Sequence, residues 1–187
     1  LVACCDNDTF PAFYRCLASA SPLIRDDQKL FDKTPRYVAE IETVMAHCDA
    51  PIICVNKDPR ATVFSDYRRS GAIDFDKWFE EYAPFKKRYM RRCYEGYLAG
   101  QATPDRFCAV SLEQLCFAAR TTCERLFEHA GQDFSIDYLV MDKLRYKNTR
   151  AKFVSADIVL EYKQAFSREQ QSLIEKEFSE FTFWFYD

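Results

Sequence analysis

The chain has 187 residues, 48% hydrophobic and 16% aromatic, which is enough to bury a core and excludes an intrinsically disordered polymer. A formal net charge of −3 and a pI near 5.5 exclude the strongly basic balance of a general nucleic-acid binder, so any attraction for anions has to be local. No apolar run approaches the ~18 residues of a membrane helix, and no secretory leader is visible at the start.

In chain order, Phe13, Cys16 and Leu17 share a helical spacing that predicts a helix over 9–20, broken by Ser21-Pro22. Residues 30–35 read as a short extended piece ending in a turn. Val38, Ile41, Val44 and Met45 fall on one face of a helix over 37–48. Residues 51–56 lack polar alternation and read as a parallel strand covered on both faces. Asp58 suits an N-cap and Pro59 a first helical position, opening a helix over 60–70 that stops near Gly71. Residues 75–98 hold one or two helices, with Pro84 near a junction. Trp78, Phe79, Tyr82 and Phe85 repeat there at helical spacing and are expected in the core. Residues 107–110 form a second buried strand. Ser111 with Gln114 makes a capping box, and a helix over 116–129 ends before Gly131. Residues 134–147 favour neither helix nor strand. Ser167 with Gln170 opens a last helix through 183, and Phe181, Phe183, Trp184 and Phe185 are expected to dock onto the domain. Strands alternating with helices, without repeats or low-complexity linkers, point to an α/β fold with a parallel sheet in a single domain over 1–187.

Nine cysteines include no C-x-x-C pair, and His47 and His129 are the only histidines, so no metal site is expected. Several of the cysteines sit in apolar runs as small core residues. Both histidines fall at helix C-termini, where a positive ring suits the dipole. Asn7-Asp8-Thr9 fits a glycosylation acceptor, a triplet common by chance. Lys86, Lys87, Arg88, Arg91 and Arg92 make a basic cluster, read as a solvated face balanced by Asp74, Asp76, Glu80 and Glu81.

Lys57, Arg60 and Ser65 surround the predicted start of the helix after the first strand. Two cations, a hydroxyl and the free N–H groups of a helix N-terminus compose a phosphate site. The block Lys57-Asp58-Pro59, with Ser65 and Tyr67 following, resembles the 3′-phosphate-binding segment of sulfotransferases that use 3′-phosphoadenosine 5′-phosphosulfate (PAPS). Lys57 stands where that family usually has Arg, which keeps the charge and loses the bidentate fork. Upstream, Asp32-Lys33-Thr34-Pro35-Arg36-Tyr37 resembles the Glu-Lys-Thr/Ser-Pro-x-Tyr segment of heparan-sulfate-type and related carbohydrate sulfotransferases, with Asp32 in place of Glu. Downstream, residues 107–131, with Val110 to Leu115 and Leu126 to Gly131, resemble the family's later strand and helix, where Glu113 is a capping or packing carboxylate.

The resemblance implies a P-loop-NTPase-like three-layer sandwich with a central parallel sheet flanked by helices. It implies sulfuryl transfer from PAPS as co-substrate, without a metal, to a hydroxyl or amine of a carbohydrate or small-molecule acceptor. Lys57 and Ser65, supported by Arg60, would bind the 3′-phosphate. Lys33 would sit near the sulfuryl group, and Asp32 is the candidate base. Arg145 and Arg150, in a basic loop, would close over the nucleotide. The family's N-terminal phosphosulfate loop has no counterpart, because none of Gly71, Gly96, Gly100 and Gly131 precedes Lys33. The chain is therefore expected to be N-terminally truncated, or to have lost that half of the site. A P-loop kinase-like phosphotransferase and a non-catalytic sulfotransferase-like binding protein are the alternatives.

Overall fold

The computed structural model describes residues 10–21, 31–139 and 155–186. Its elements run α1 (Phe10–Ala20), a 3₁₀ turn (Pro35–Glu40), α2 (Ile41–His47), β1 (Ile52–Asn56), α3 (Pro59–Ser70), α4 (Phe75–Gln101), β2 (Phe107–Ser111), α5 (Leu112–Phe117) and α6 (Ala119–His129). A second 3₁₀ turn (Ile136–Leu139), α7 (Asp157–Ala165), α8 (Arg168–Glu177) and a third 3₁₀ turn (Ser179–Trp184) complete them. β1 and β2 pair in parallel, with Ile52 opposite Phe107 and Asn56 opposite Ser111. The class is α/β, as the alternation predicts, and mostly helical among the described residues.

The local signals act largely as read. Asp58 caps α3 by accepting the Arg60 backbone N–H, and Gly71 ends it at a φ of 71°. Both capping boxes are closed, Ser111 with Gln114 and Ser167 with Gln170.

Several boundaries differ. The helix expected over 37–48 begins as a 3₁₀ turn and becomes α-helical only at Ile41. That turn lies so close to α4 that a side chain on Gly96 would run into the Val38 carbonyl. The region around Pro84 is not a junction, because α4 runs unbroken through it with the proline on an exposed face. Water can there satisfy the carbonyl that the missing N–H leaves free. The helix expected over 116–129 is two, divided at Ala118 (φ −132°), and the last helix gives way at Phe178 to a 3₁₀ turn. α7 had no sequence signal assigned to it. β1 is not covered on both faces among the described residues, since Val55 is 52% exposed.

The core joins α3, α4, α7 and α8. Phe166 sits edge-on to Phe64, with ring centroids 5.6 Å apart, and lies 4.9 Å from Phe75. Val159, Ile174, Phe178 and Phe181 are fully buried beneath them. Trp78, Phe79 and Tyr82 join this aromatic body as expected. Phe85 does not, being 68% exposed one residue past Pro84.

Four of the five cations of the basic cluster on α4 pair with remote carboxylates rather than with the acids just before it. Lys86 meets Asp66 at 2.9 Å, Lys87 meets Glu177 at 3.3 Å, Arg91 meets Glu180 at 3.0 Å, and Arg92 pairs with Glu40. Folding brings these acids from α3, α8 and the two flanking 3₁₀ turns.

Candidate functional site

Ligands of open α/β sheets gather beyond the carboxyl ends of the strands. β1 and β2 end side by side here, and β1 runs through Lys57 and Asp58 directly into α3. Asp58 is only 1% exposed. Its carboxylate accepts the Arg60 backbone N–H at 2.7 Å, Arg60 Nε at 3.1 Å, Arg60 Nη2 at 2.7 Å and the Tyr186 N–H at 2.9 Å. Its own backbone N–H donates to Glu113 Oε1 at 3.0 Å. The turn is thus held from α3, from the β2–α5 corner and from Tyr186, which fixes the backbone that carries Lys57.

Lys57 is half-buried, and burial draws its ammonium below the ordinary lysine range against the opposing charges of Glu113 and Asp66. It makes no hydrogen bond or ion pair among the described residues. Just before it, Asn56 Oδ1 is buried with no hydrogen-bond partner. A half-dry cation with no direct ion pair, between the carboxyl end of a strand and the N-terminus of a helix, fits an anionic ligand, whereas the orphaned Asn56 oxygen can receive only a donor group. Ser65, half-buried on α3, accepts a long 3.4 Å bond from Arg69 Nη2, and Arg69 also lies 3.7 Å from Asp66. Tyr67 belongs to the core instead: its ring lies 5.4 Å from Phe75, and its hydroxyl donates to the Ile73 carbonyl at 2.9 Å.

Arg60 stands at the helix start as expected, but its guanidinium turns inward. Besides Asp58 it meets Glu175 at 2.7 Å and the Tyr186 carbonyl at 2.9 Å, between the rings of Tyr162 and Phe185. Burial opposes the charge, yet the bonds to Asp58 and Glu175 raise its pKa further above the arginine range. A phosphate would have to displace these partners. Glu113 is 1% exposed, its Oε2 has no partner, and burial pushes its pKa up. It clamps the Asp58 amide, the packing role expected of it.

Asp32 and Lys33 lie exposed on the approach to the first 3₁₀ turn. Asp32 accepts the Tyr14 hydroxyl at 2.6 Å and the Thr34 hydroxyl at 3.0 Å, and the Tyr14 bond holds its carboxyl below the usual range. That keeps it ionised and makes it a weak proton acceptor. Neither residue shares a hydrogen bond or ion pair with Lys57 or Ser65. Arg145 and Arg150 lie outside the described residues. Arg69, Glu175 and Tyr186 went unnoticed in the sequence. Only Arg69 carried a signal, its i,i+4 spacing from Ser65.

His47 Nδ1 lies 2.8 Å from the Thr43 carbonyl one turn back, and His129 Nε2 lies 3.2 Å from the Ile52 carbonyl; both are structural contacts. A shallow concavity of about 540 Å³ flanks β2, lined by Asp105, Cys108, Arg125, Glu128 and His129 among others, and includes no residue of the β1–α3 turn. Among the described residues no three His, Cys, Asp or Glu side chains stand together to hold a metal, and no helix is long and apolar enough to cross a membrane.

A model of the sulfotransferase family matches residues 3–135. No curated protein sequence matches the chain. Among solved structures, the chain is similar to the sulfotransferase domain from the Synechococcus PCC 7002 olefin synthase, with a TM-score of 0.64 at 18% identity over 95% of this chain and 64% of that one. It is also similar to the sulfotransferase domain from the curacin biosynthetic pathway, with a TM-score of 0.60 at 12% identity over 90% of this chain and 67% of that one. The chain thus spans roughly two thirds of each domain, and at these identities the likeness bears on the fold alone. A family match over most of the chain, on the α/β, P-loop-like fold that its motifs predict, shows that the chain belongs to the sulfotransferase family.

Proposed function

We propose that the β1–α3 turn binds the 3′-phosphate of PAPS, in an enzyme that transfers the sulfuryl group to a hydroxyl or amine of a carbohydrate or small-molecule acceptor. The observation that carries this reading is Lys57, a half-buried cation that makes no direct hydrogen bond or ion pair among the described residues, at the carboxyl end of a parallel strand. PAPS, when bound, supplies the activated sulfuryl group. Lys57 Nζ would neutralise phosphate charge, and the Ser65 hydroxyl would exchange its long bond to Arg69 for a phosphate oxygen. Asn56 would offer its amide, and Asp58, Arg60 and Glu113 would hold the turn without touching the ligand. Lys33 would face the transferring group, where positive charge stabilises the departing phosphate. Asp32 would take the acceptor's proton only weakly while Tyr14 bonds to it.

The test is a thermal melt and calorimetric titration with 3′-phosphoadenosine 5′-phosphate (PAP). PAP is expected to raise the unfolding temperature. Lys57→Ala combined with Ser65→Ala should remove most of that shift, and Lys57→Arg should keep or enlarge it by restoring the fork. An unchanged melting curve for the wild type in saturating PAP would refute the reading. A shift given equally by ATP would favour a kinase-like enzyme.

A further inference from the structure

We propose that the dipeptide Phe185-Tyr186 is a positioning strap for the phosphate-binding turn, so that strap docking and nucleotide binding reinforce each other. The nucleotide half of this statement rests on the function proposed above; the strap half does not.

The contacts come from the far end of the chain. The Tyr186 N–H donates to Asp58 Oδ2 at 2.9 Å, and Arg60 Nη2 donates to the Tyr186 carbonyl at 2.9 Å. One peptide segment therefore brackets the Asp58–Arg60 pair across separations of 128 and 126 residues. The Tyr186 ring stacks on Phe117 at 5.2 Å with the planes 11° apart, and the Phe185 ring lies 5.2 Å from the Arg60 guanidinium carbon. Phe117 ends α5, the short helix that also carries Glu113, the second clamp on Asp58. Trp184, 8% exposed and stacked on Phe181 at 5.4 Å, anchors the segment in the core.

Tyr186 thus ties the start of α3 to the end of α5 at the mouth of both strands. Backbone hydrogen bonds to buried charged groups are stronger than neutral ones, and losing them leaves polar atoms unsatisfied in a nearly dry place. A loosened Asp58 frees Lys57, its neighbour in the chain, and a site that must be ordered by its ligand binds that ligand less tightly. Coupling between two such events is reciprocal.

The experiment is amide hydrogen exchange with and without PAP on the wild type, Tyr186→Ala, Tyr186→Phe and Phe117→Ala, together with PAP affinity. Without nucleotide, Tyr186→Ala and Phe117→Ala are expected to speed exchange about tenfold at Arg60 and Thr62, whose N–H groups donate to Asp58, the effect of losing one aromatic pair. Tyr186→Phe keeps the stack and should match the wild type. PAP affinity should fall by a similar factor in the two alanine variants alone, and PAP should slow exchange of the Tyr186 amide in the wild type. Unchanged exchange at Arg60 and Thr62 overturns the strap. So does acceleration spread evenly over α4, which would make the segment a general core element. A wild type that does not bind PAP refutes the phosphate reading, while exchange at the turn still decides the strap.

Discussion

Glu113 shows how a single buried side chain can hold a site together at some expense to stability. One carboxylate oxygen satisfies the Asp58 amide, and the other has no partner. Burial raises its folded pKa above the ordinary glutamate value. A raised folded pKa means that the stability this group contributes is full below the unfolded value and is lost as pH rises through the folded one. Glu113→Gln keeps an oxygen for the Asp58 N–H and removes the titration. In urea melts across pH 4–8 the variant should lose less stability than the wild type as pH rises. Glu113→Ala strands the amide and should cost about 1–3 kcal/mol at the acid end of that range, and less as pH rises. At this scale the sequence identified the Asp58 cap, because capping depends on neighbours only a few positions away; the packing role of Glu113, exerted across 55 positions, was legible only through the family resemblance. The sequence did not reveal that the long side chain of Arg60 turns inward to Glu175 and Tyr186, partners more than a hundred positions distant.

Helix starts set by a local cap matched their signals, as at Asp58, Ser111 and Ser167. Helices shaped by neighbours did not. The Pro35–Glu40 turn takes its 3₁₀ form against α4, where only the missing side chain of Gly96 admits the Val38 carbonyl. Gly100 serves the β2 side in the same way, since a Cβ there would lie 2.5 Å from the Phe107 ring. Gly100→Ala is expected to cost about 1–3 kcal/mol by overpacking, read as a lowered urea midpoint with an unchanged slope. Pro84 marked a helix break by its chemistry, yet α4 carries it on an exposed face. Pro84→Ala, which restores the hydrogen bond to the Glu80 carbonyl, should therefore raise the unfolding temperature rather than lower it.

Across the whole molecule, aromatic packing connects the proposed site to the rest of the chain. Phe166, 5% exposed, touches Phe64 and Tyr67 of α3 and Phe75 of α4 from the corner between α7 and α8. Phe166→Ala should cost about 3–5 kcal/mol, and a melt should then show the PAP-induced shift starting from a lower baseline. The sequence by itself determined the α/β class, the two parallel strands, the helix caps and the family, because periodicity, capping and short motifs are encoded within a few neighbouring residues. Only the tertiary structure decided which charges are free to meet a ligand. Lys57 makes no direct ion pair among the described residues, Arg60 is enclosed by Asp58 and Glu175, and Lys86, Lys87, Arg91 and Arg92 of α4 are matched with acids from distant elements. Pairing of long charged side chains depends on where the chain returns in space, and no local pattern records that.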